Sequence, residues 1–358
     1  MTPKQTQWQP SARATLVGSL PHRDREMALN LVWEHMADIP VWPQLSAYPL
    51  EQMMAQFTEG MPGLLRRDDR IQFVTSDPRF EQELTFFYEE YLAVTEAQMP
   101  LEKSRFRLGE ESGRTFFAFL ERLGRQQPPM AVKGQVVGPF TLLAGLKDEN
   151  DQLALYDPRL RDVVVKTLAL KAQWQAEQLS RFSRPVVLFM DEPALAGFGS
   201  SAFISVSGAE VSGMLEEVAK HIHEVAALAG VHVCANTDWS LFFGSSLDVI
   251  NFDAYTYFDR FALYRRELVN FINRGGTVAW GIVPTMDEQN IQQEDADSLV
   301  ARWYNQVEKL LDDDLSLQTL FLHSLITPSC GCGSLSEPLA ERVVHLTRQV
   351  SEKLRLGD

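Results

Sequence analysis

Short apolar runs rich in β-branched residues alternate along this chain with longer stretches whose apolar positions recur at helical spacing. The runs are ATLVGSLP (14–21), IPVWPQLS (39–46), MAVKGQVVGP (130–139), PVVLFMDEP (185–193), GVHVCAN (230–236), LDVINFDAY (247–255), GTVAWGIVPT (276–285) and LQTLFLHSLITPSC (317–330). Turn-forming Gly, Pro, Asn, Asp or Ser close them. Strand and helix in alternation predict parallel βα units, and about eight strand candidates is the number a TIM-type (β/α)8 barrel requires.

The intervening stretches agree. SGAEVSGMLEEVAKHIHEVAALAG (207–230) opens on a Ser cap, carries an apolar stripe and closes on Gly. DADSLVARWYNQVEKLLDDD (295–314) and SEPLAERVVHLTRQVSEKLR (336–355) have the same character. Residues 46–129 are too long for one crossover and contain patterns such as FEQELTFFYEEYLAVTEAQ (80–98), which predicts a helical insertion between the second and third strands. No repeat, low-complexity linker or composition shift divides the chain. The expectation is an α/β protein, a single TIM barrel domain over residues 1–358.

Composition narrows the partners. With 33 Lys and Arg against 48 Asp and Glu, the formal net charge is -15, which argues against a polyanionic nucleic acid as partner. The N-terminal MTPKQTQWQPSARATLVGSL shows no long apolar segment behind a basic start, and no run reaches the roughly 18 apolar residues needed to cross a bilayer. A cytoplasmic protein with no membrane partner is expected. Three cysteines are too few for a disulfide scaffold, and all of them fall at strand ends.

That placement carries the chemistry, because catalytic groups of a βα barrel gather at the C-terminal ends of its strands. Those ends read Gly18-Ser19, Pro43-Gln44, Lys133 and Gln135 through Pro139, Asp191-Glu192-Pro193, His232/Cys234/Asn236, Asp253/Tyr255, Pro284-Thr285 and Ser329-Cys330-Gly331-Cys332. Residues two apart on a strand share a face, so His232 and Cys234 can serve one ion. Tetrahedral Zn²⁺ accepts imidazole and thiolate together, and catalytic sites typically keep three protein ligands and one exchangeable position. Cys330 supplies the third; Asp253, Cys332 or a substrate atom could complete the set. A lone buried Cys or His is more often core than ligand, and H-x-C alone is weak. The convergence of one His and every Cys on one rim favours the metal.

Other candidates carry less. His221 and His223 lie in a helical pattern, where residues two apart diverge by about 200°, and read as solvated helix surface. His22 is a functional candidate; His35, His323 and His345 read as structural or surface. Of Asp191 and Glu192, one can face the pocket and bind an amine while the other turns outward. Gly18-Ser19 and the glycines around Gln135 permit close backbone approach to an anion or small substrate, or equally serve tight turns.

Taken in order, GSLP, KGQVVGPFTL, DEPAL, HVCANTDWS and TPSCG resemble the catalytic barrel of cobalamin-independent methionine synthase. That family shares a superfamily with uroporphyrinogen decarboxylase and the methylcobamide:coenzyme M methyltransferases. The resemblance runs from about residue 15 to about residue 345 and is diffuse across the insertion. It implies zinc-dependent methyl transfer to a thiol, homocysteine first. His232, Cys234 and Cys330 become zinc ligands, with Asp253 standing where the family has Glu; Cys332 has no counterpart. Gly18 and Ser19 would hold the substrate carboxylate, and Asp191, with Glu59, its amine. The family's catalytic His would fall where this chain has Pro284 and Thr285. The chain resembles short core forms, which imply a methylated corrinoid, free or protein-bound, as donor in place of a methyl-folate. The rival readings are a coenzyme M-type methyltransferase, a non-catalytic zinc- or corrinoid-binding partner, a uroporphyrinogen decarboxylase-like enzyme, which would want Arg at the rim, and a zinc hydrolase, which would want a general base beside the ligands.

Overall fold

A computed structural model describes residues 8–67, 70–183 and 185–357; the first seven residues of the stretch inspected for a leader lie outside these. Two short pieces come from the first apolar run, β1 (Arg13–Ala14) and β2 (Ser19–Leu20), and one from the second, β3 (Gln44–Leu45). Within the insertion lie β4 (Leu64–Arg67) and β5 (Arg70–Phe73). The remaining runs give β6 (Val132–Val137), β7 (Val186–Asp191), β8 (Leu228–Val233), β9 (Val249–Phe252), β10 (Thr277–Val283) and β11 (Ser324–Pro328).

A seven-stranded sheet in the order β1-β11-β10-β9-β8-β7-β6 forms the centre, parallel at every pairing. Curled into a half-barrel and backed by helices, it is α/β and consistent with a TIM-like barrel. The second run lies along the free edge of β6, where Val41 bridges Lys133 and Lys133 N donates to Pro40 O at 2.9 Å. On its other side β3 pairs with β2 in parallel. These contacts amount to one bridge and a two-residue ladder, not a full strand. Pro40 and Pro43 explain the gap, since proline has no N–H to give to a ladder.

Alternation along the strands separates two cores. Val187 and Phe189, Leu228, Val249, Ala279 and Leu325 pack together with Ile39 and Ala131 as one buried cluster. Their sequence neighbours Val186, Leu188, Met190, Ala229, Val231, Val233, Ile250, Phe252, Val278, Trp280 and Ile326 join the larger cluster that includes the helices. Continuing the inner series in steps of two reaches Asp191 from Phe189, His232 and then Cys234 from Leu228 through Gly230, Asn251 and then Asp253 from Val249, and Thr327 from Leu325. The inner face therefore ends in polar groups, all on one rim.

The expected helices form at Phe80–Thr95, Gly208–Glu224, Ala296–Glu308 and Glu337–Leu356. Ser207 and Glu210 make a reciprocal capping box, as do Asp295 and Ser298. Three expectations need correction. LQTLFL at 317–322 is a helix capped by Ser316, whose Oγ accepts from Thr319 N; only the second half of that run is strand. Gly230 does not close the helix that begins at Gly208, which ends at Glu224 with Val225 as its cap and Ala226 in a left-handed φ of 57°; Gly230 lies inside β8, where its missing side chain admits the Phe189 ring. The insertion is not helical throughout, because Leu64 and Phe73 begin an antiparallel β4–β5 pair. No helix among the described residues is long and apolar enough to cross a membrane.

Candidate metal centre

His232 occupies the penultimate position of β8 and Cys234 follows the strand's last residue. Cys330 lies two residues beyond β11. A ring nitrogen of His232 and the sulfurs of Cys234 and Cys330 lie within 4.8 Å of one another, the one such His/Cys/Asp/Glu group among the described residues. His232 is 2% exposed. Its Nδ1 is 2.5 Å from Asn251 Oδ1, whereas Nε2 is buried without a hydrogen-bond partner. An orphaned buried imidazole nitrogen facing two thiols is the donor set a tetrahedral zinc accepts.

The thiols polarise each other. Cys234 is pushed down to about 4, first by the neighbouring Cys330 thiol and, after the opposing effect of burial, by His232. Cys330 moves the opposite way, held up by the charge and hydrogen bond of Cys234 and by burial.

Asp191 ends β7 and is the register partner of His232. It is buried, and its Oδ1 has no hydrogen-bond partner. Burial raises its carboxyl to about 6, against the pull of His232 and Lys133. Lys133, in β6, is fully buried; burial lowers its ammonium to about 7, with Asp191 opposing. Its Nζ donates to Val17 O at 2.6 Å and sits 4.3 Å from the centre of the Phe189 ring. The neighbouring Glu192 turns away as expected, but into protein, not solvent. Its carboxylate accepts from Phe140 N, Thr141 N and Thr141 Oγ1 at the start of helix Pro139–Gly145. Adjacent acids thus have separate tasks: Glu192 is consumed by the fold, and Asp191 has an oxygen to spare.

The Gly18-Ser19 loop is joined to the cysteine loop. Cys332 N donates to Ser19 O at 2.9 Å and Gly333 N to Ser19 Oγ at 3.2 Å. Gly18 adopts φ +148°, and a Cβ there would meet the Gln135 side chain at 2.6 Å. Gln135 itself is spent on structure, donating through Nε2 to Trp42 O.

Some candidates stand apart from the sulfur cluster. Cys332 is buried but does not join the group, and burial holds its thiol up near 12. Asp253 likewise stays outside it. Its Oδ1 caps helix Ala254–Phe261 by accepting from Thr256 N at 2.8 Å, while Oδ2 is buried without a partner. Burial raises this carboxyl to about 6, against the Thr256 bonds. Glu59 is exposed in the insertion and accepts from Ser112 Oγ; it is not among the residues gathered here. Thr285, where the resembled family has a histidine, bonds Ser329 through its N and Oγ1 and ties the ends of β10 and β11 together. His22 is buried, with Nε2 3.7 Å from Glu341 Oε1. His221 and His223 are helical as expected but not both solvated. His221 is 5% exposed and bonds Gln173, and His223 pairs with Asp248 at 2.7 Å.

Asn251 emerges here as a neighbour of the site that the strand ends did not single out, and Lys133, named there only as a strand-end residue, proves to be a buried ammonium beside Asp191. Each is a polar residue inside a fully buried strand, two positions before another candidate on the same face: Asn251 before Asp253, Lys133 before Gln135. That pattern was the available signal.

No family model and no curated protein matches the chain. Solved structures do. A methyltransferase from Methanosarcina mazei is 13% identical over 96% of this chain and 94% of that one, with a TM-score of 0.55. A putative vitamin-B12 independent methionine synthase from Listeria monocytogenes is 13% identical over 92% and 85%, TM-score 0.51. A B12-independent methionine synthase from Shewanella sp. W3-18-1, in complex with selenomethionine, is 19% identical over 67% of each chain at a TM-score of 0.47. At these identities the first two likenesses establish a shared fold.

Proposed function

We propose that the protein is a zinc-dependent thiol S-methyltransferase built on a single eight-unit barrel, with homocysteine as the favoured acceptor and a methylated corrinoid, free or protein-bound, as donor. The observation that carries the reading is the convergence of His232, Cys234 and Cys330 at the rim, with a buried imidazole nitrogen unpaired. Beside it, Asp191 holds a carboxylate oxygen open. The solved methyltransferase and methionine synthase of the same fold support it.

His232, Cys234 and Cys330 would hold the ion. Zinc supplies Lewis acidity, which lets a thiol lose its proton at neutral pH. Asp191 would accept hydrogen bonds from the ammonium of the amino thiol, a charge-assisted contact in a water-poor setting. Ser19, whose Oγ already accepts from Gly333 N, has its own O–H left to donate to the substrate carboxylate. These two contacts would hold an α-amino acid at its ammonium and its carboxylate, leaving its side-chain sulfur free to reach the cluster. In the reaction the sulfur's electron pair forms the new S–CH₃ bond, the donor keeps the electrons of the bond that breaks, and the thiol proton passes to solvent.

The test is metal analysis followed by X-ray absorption at the zinc edge, with and without homocysteine. One zinc per chain and one additional Zn–S contact on adding the thiol are expected. A saturated first shell that no thiol alters would overturn catalysis in favour of a closed structural site. Turnover with methylcobalamin, methyl-folate and a panel of thiols then identifies donor and acceptor.

A further inference from the structure

We infer that Asn251 is a positioning residue for the metal centre, fixing the His232 ring so that Nε2 is the coordinating nitrogen and tying it to the strand that leads to Cys330. The inference rests on the metal centre proposed above.

Asn251 lies in the middle of β9, fully buried, and is the register partner of both His232 and Ala279. An asparagine side chain offers one carbonyl oxygen and one NH₂ group, and here the neighbours decide which end points where. Its Nδ2 lies 2.8 Å from Ala279 O and 2.8 Å from Thr327 Oγ1. Ala279 O is a backbone carbonyl and can only accept, so the end facing it must be the NH₂. The oxygen then faces His232 at 2.5 Å and can only accept, so His232 Nδ1 must carry the proton. What remains is Nε2, the atom buried without a partner. Three hydrogen bonds thereby leave one imidazole nitrogen for coordination.

The same amide links four strands, Ala279 being on β10. His232 is on β8, Asn251 on β9, and Thr327 on β11, three residues before Cys330. The amide therefore holds the pitch of the ring and its lateral position relative to the sulfur from β11. Partners of this kind typically change metal affinity 10–100-fold when removed.

The experiment compares Asn251→Leu with Asn251→Asp in the full chain. Leu keeps the branched shape, with slightly greater bulk, and removes the acceptor. Asp keeps an acceptor for Nδ1–H but turns an oxygen toward Ala279 O. If Asn251 only fills space, Leu is the milder change; if it positions His232, Asp is. Zinc affinity, read by competition against a chromogenic chelator, is expected to fall 10–100-fold in the Leu variant and less than 10-fold in the Asp variant. The reverse order, or equal affinity in all three proteins, overturns the inference. Long-range ¹H–¹⁵N correlation on the zinc-loaded wild type decides the matter even where variants do not fold: a protonated Nδ1 and metal-bonded Nε2 are expected, and metal on Nδ1 overturns it. A wild type that binds no zinc removes both the inference and the reading beneath it. Zinc bound through Nε2 without methyl transfer removes only the catalytic assignment.

Discussion

The two sides of the sheet are built by different means. From β6 to β11 the strands pair in parallel over four to six residues each, and alternation alone delivers Asp191, His232 and Asn251 to the same face. From residue 13 to residue 46 the ladder shrinks to two-residue pieces. There side chains take over: Thr15 Oγ1 donates to Ile39 O, Lys133 Nζ to Val17 O, Gln135 Nε2 to Trp42 O, and Ser46 Oγ to Gly333 O. The proposed metal donors stand on the regular side, and the loop proposed to hold substrate stands on the stitched side. A site that must keep its ligands rigid and admit a substrate would be divided in this way, since backbone ladders resist local opening better than a few side-chain bonds.

The strongest way to break this contrast is at the sulfur. Cys234→Ser replaces the thiolate with a poor zinc ligand on a strand whose ladder is untouched. Zinc affinity is expected to drop by more than the roughly 100-fold associated with outer partners, with methyl transfer abolished and the far- and near-ultraviolet circular dichroism of the native fold retained. Full zinc content and activity in this variant would sink the assignment; loss of fold would mean that the regular side depends on metal. Asp191→Asn comes next. Removing a charged partner from the ammonium costs about 1.5–3 kcal/mol, roughly 10–100-fold in kcat/KM, and the loss is expected for amino thiols and not for thiols without an amine. An equal loss for both classes would place Asp191 in the chemistry instead of in recognition.

How much of this was readable from sequence follows the same division. The β6 to β11 runs are dense in Val, Ile, Leu and Phe and end in turn residues, so both the strands and the shared face of His232 and Cys234 could be deduced by counting in twos. Cys330 was reachable because it ends the last run. The paired prolines of IPVWPQLS kept the second strand from forming a full ladder, although its apolar pattern suggested one. LQTLFL was misread because an apolar run of that length suits either period, and the Ser316 cap decided for helix. Glu59 and Asp253 were less legible, since one depends on how an insertion folds and the other on a cap that claims one oxygen. Asn251 was missed because its function lies in the partners of both ends of its amide, and pairing across β8, β9 and β11 is not written in any one strand.

Smaller effects sharpen the stitched side. Gly18→Ala places a side chain at a φ of +148° and against Gln135; a cost of about 1–3 kcal/mol is expected for such a backbone position, visible as a lower urea midpoint with an unchanged slope. The same midpoint as wild type would mean that the loop relaxes freely and does not position Ser19.

Ser19→Ala should have the smallest effect on stability and the most informative kinetics. The substitution leaves Gly333 N without its acceptor at a site that is only part-buried, so water can replace the lost bond and the cost should stay near ~1 kcal/mol. The bond from Cys332 N to Ser19 O is made by the backbone and survives. What disappears is the hydroxyl proton that Ser19 would give to a carboxylate. If the loop binds substrate, KM for homocysteine rises while kcat and zinc content stay close to wild type, and a decarboxylated thiol such as cysteamine shows no such change. If instead kcat falls with KM unchanged, Ser19 acts through the cysteine loop it braces, and the stitched side would be supporting the metal ligands as well as the substrate.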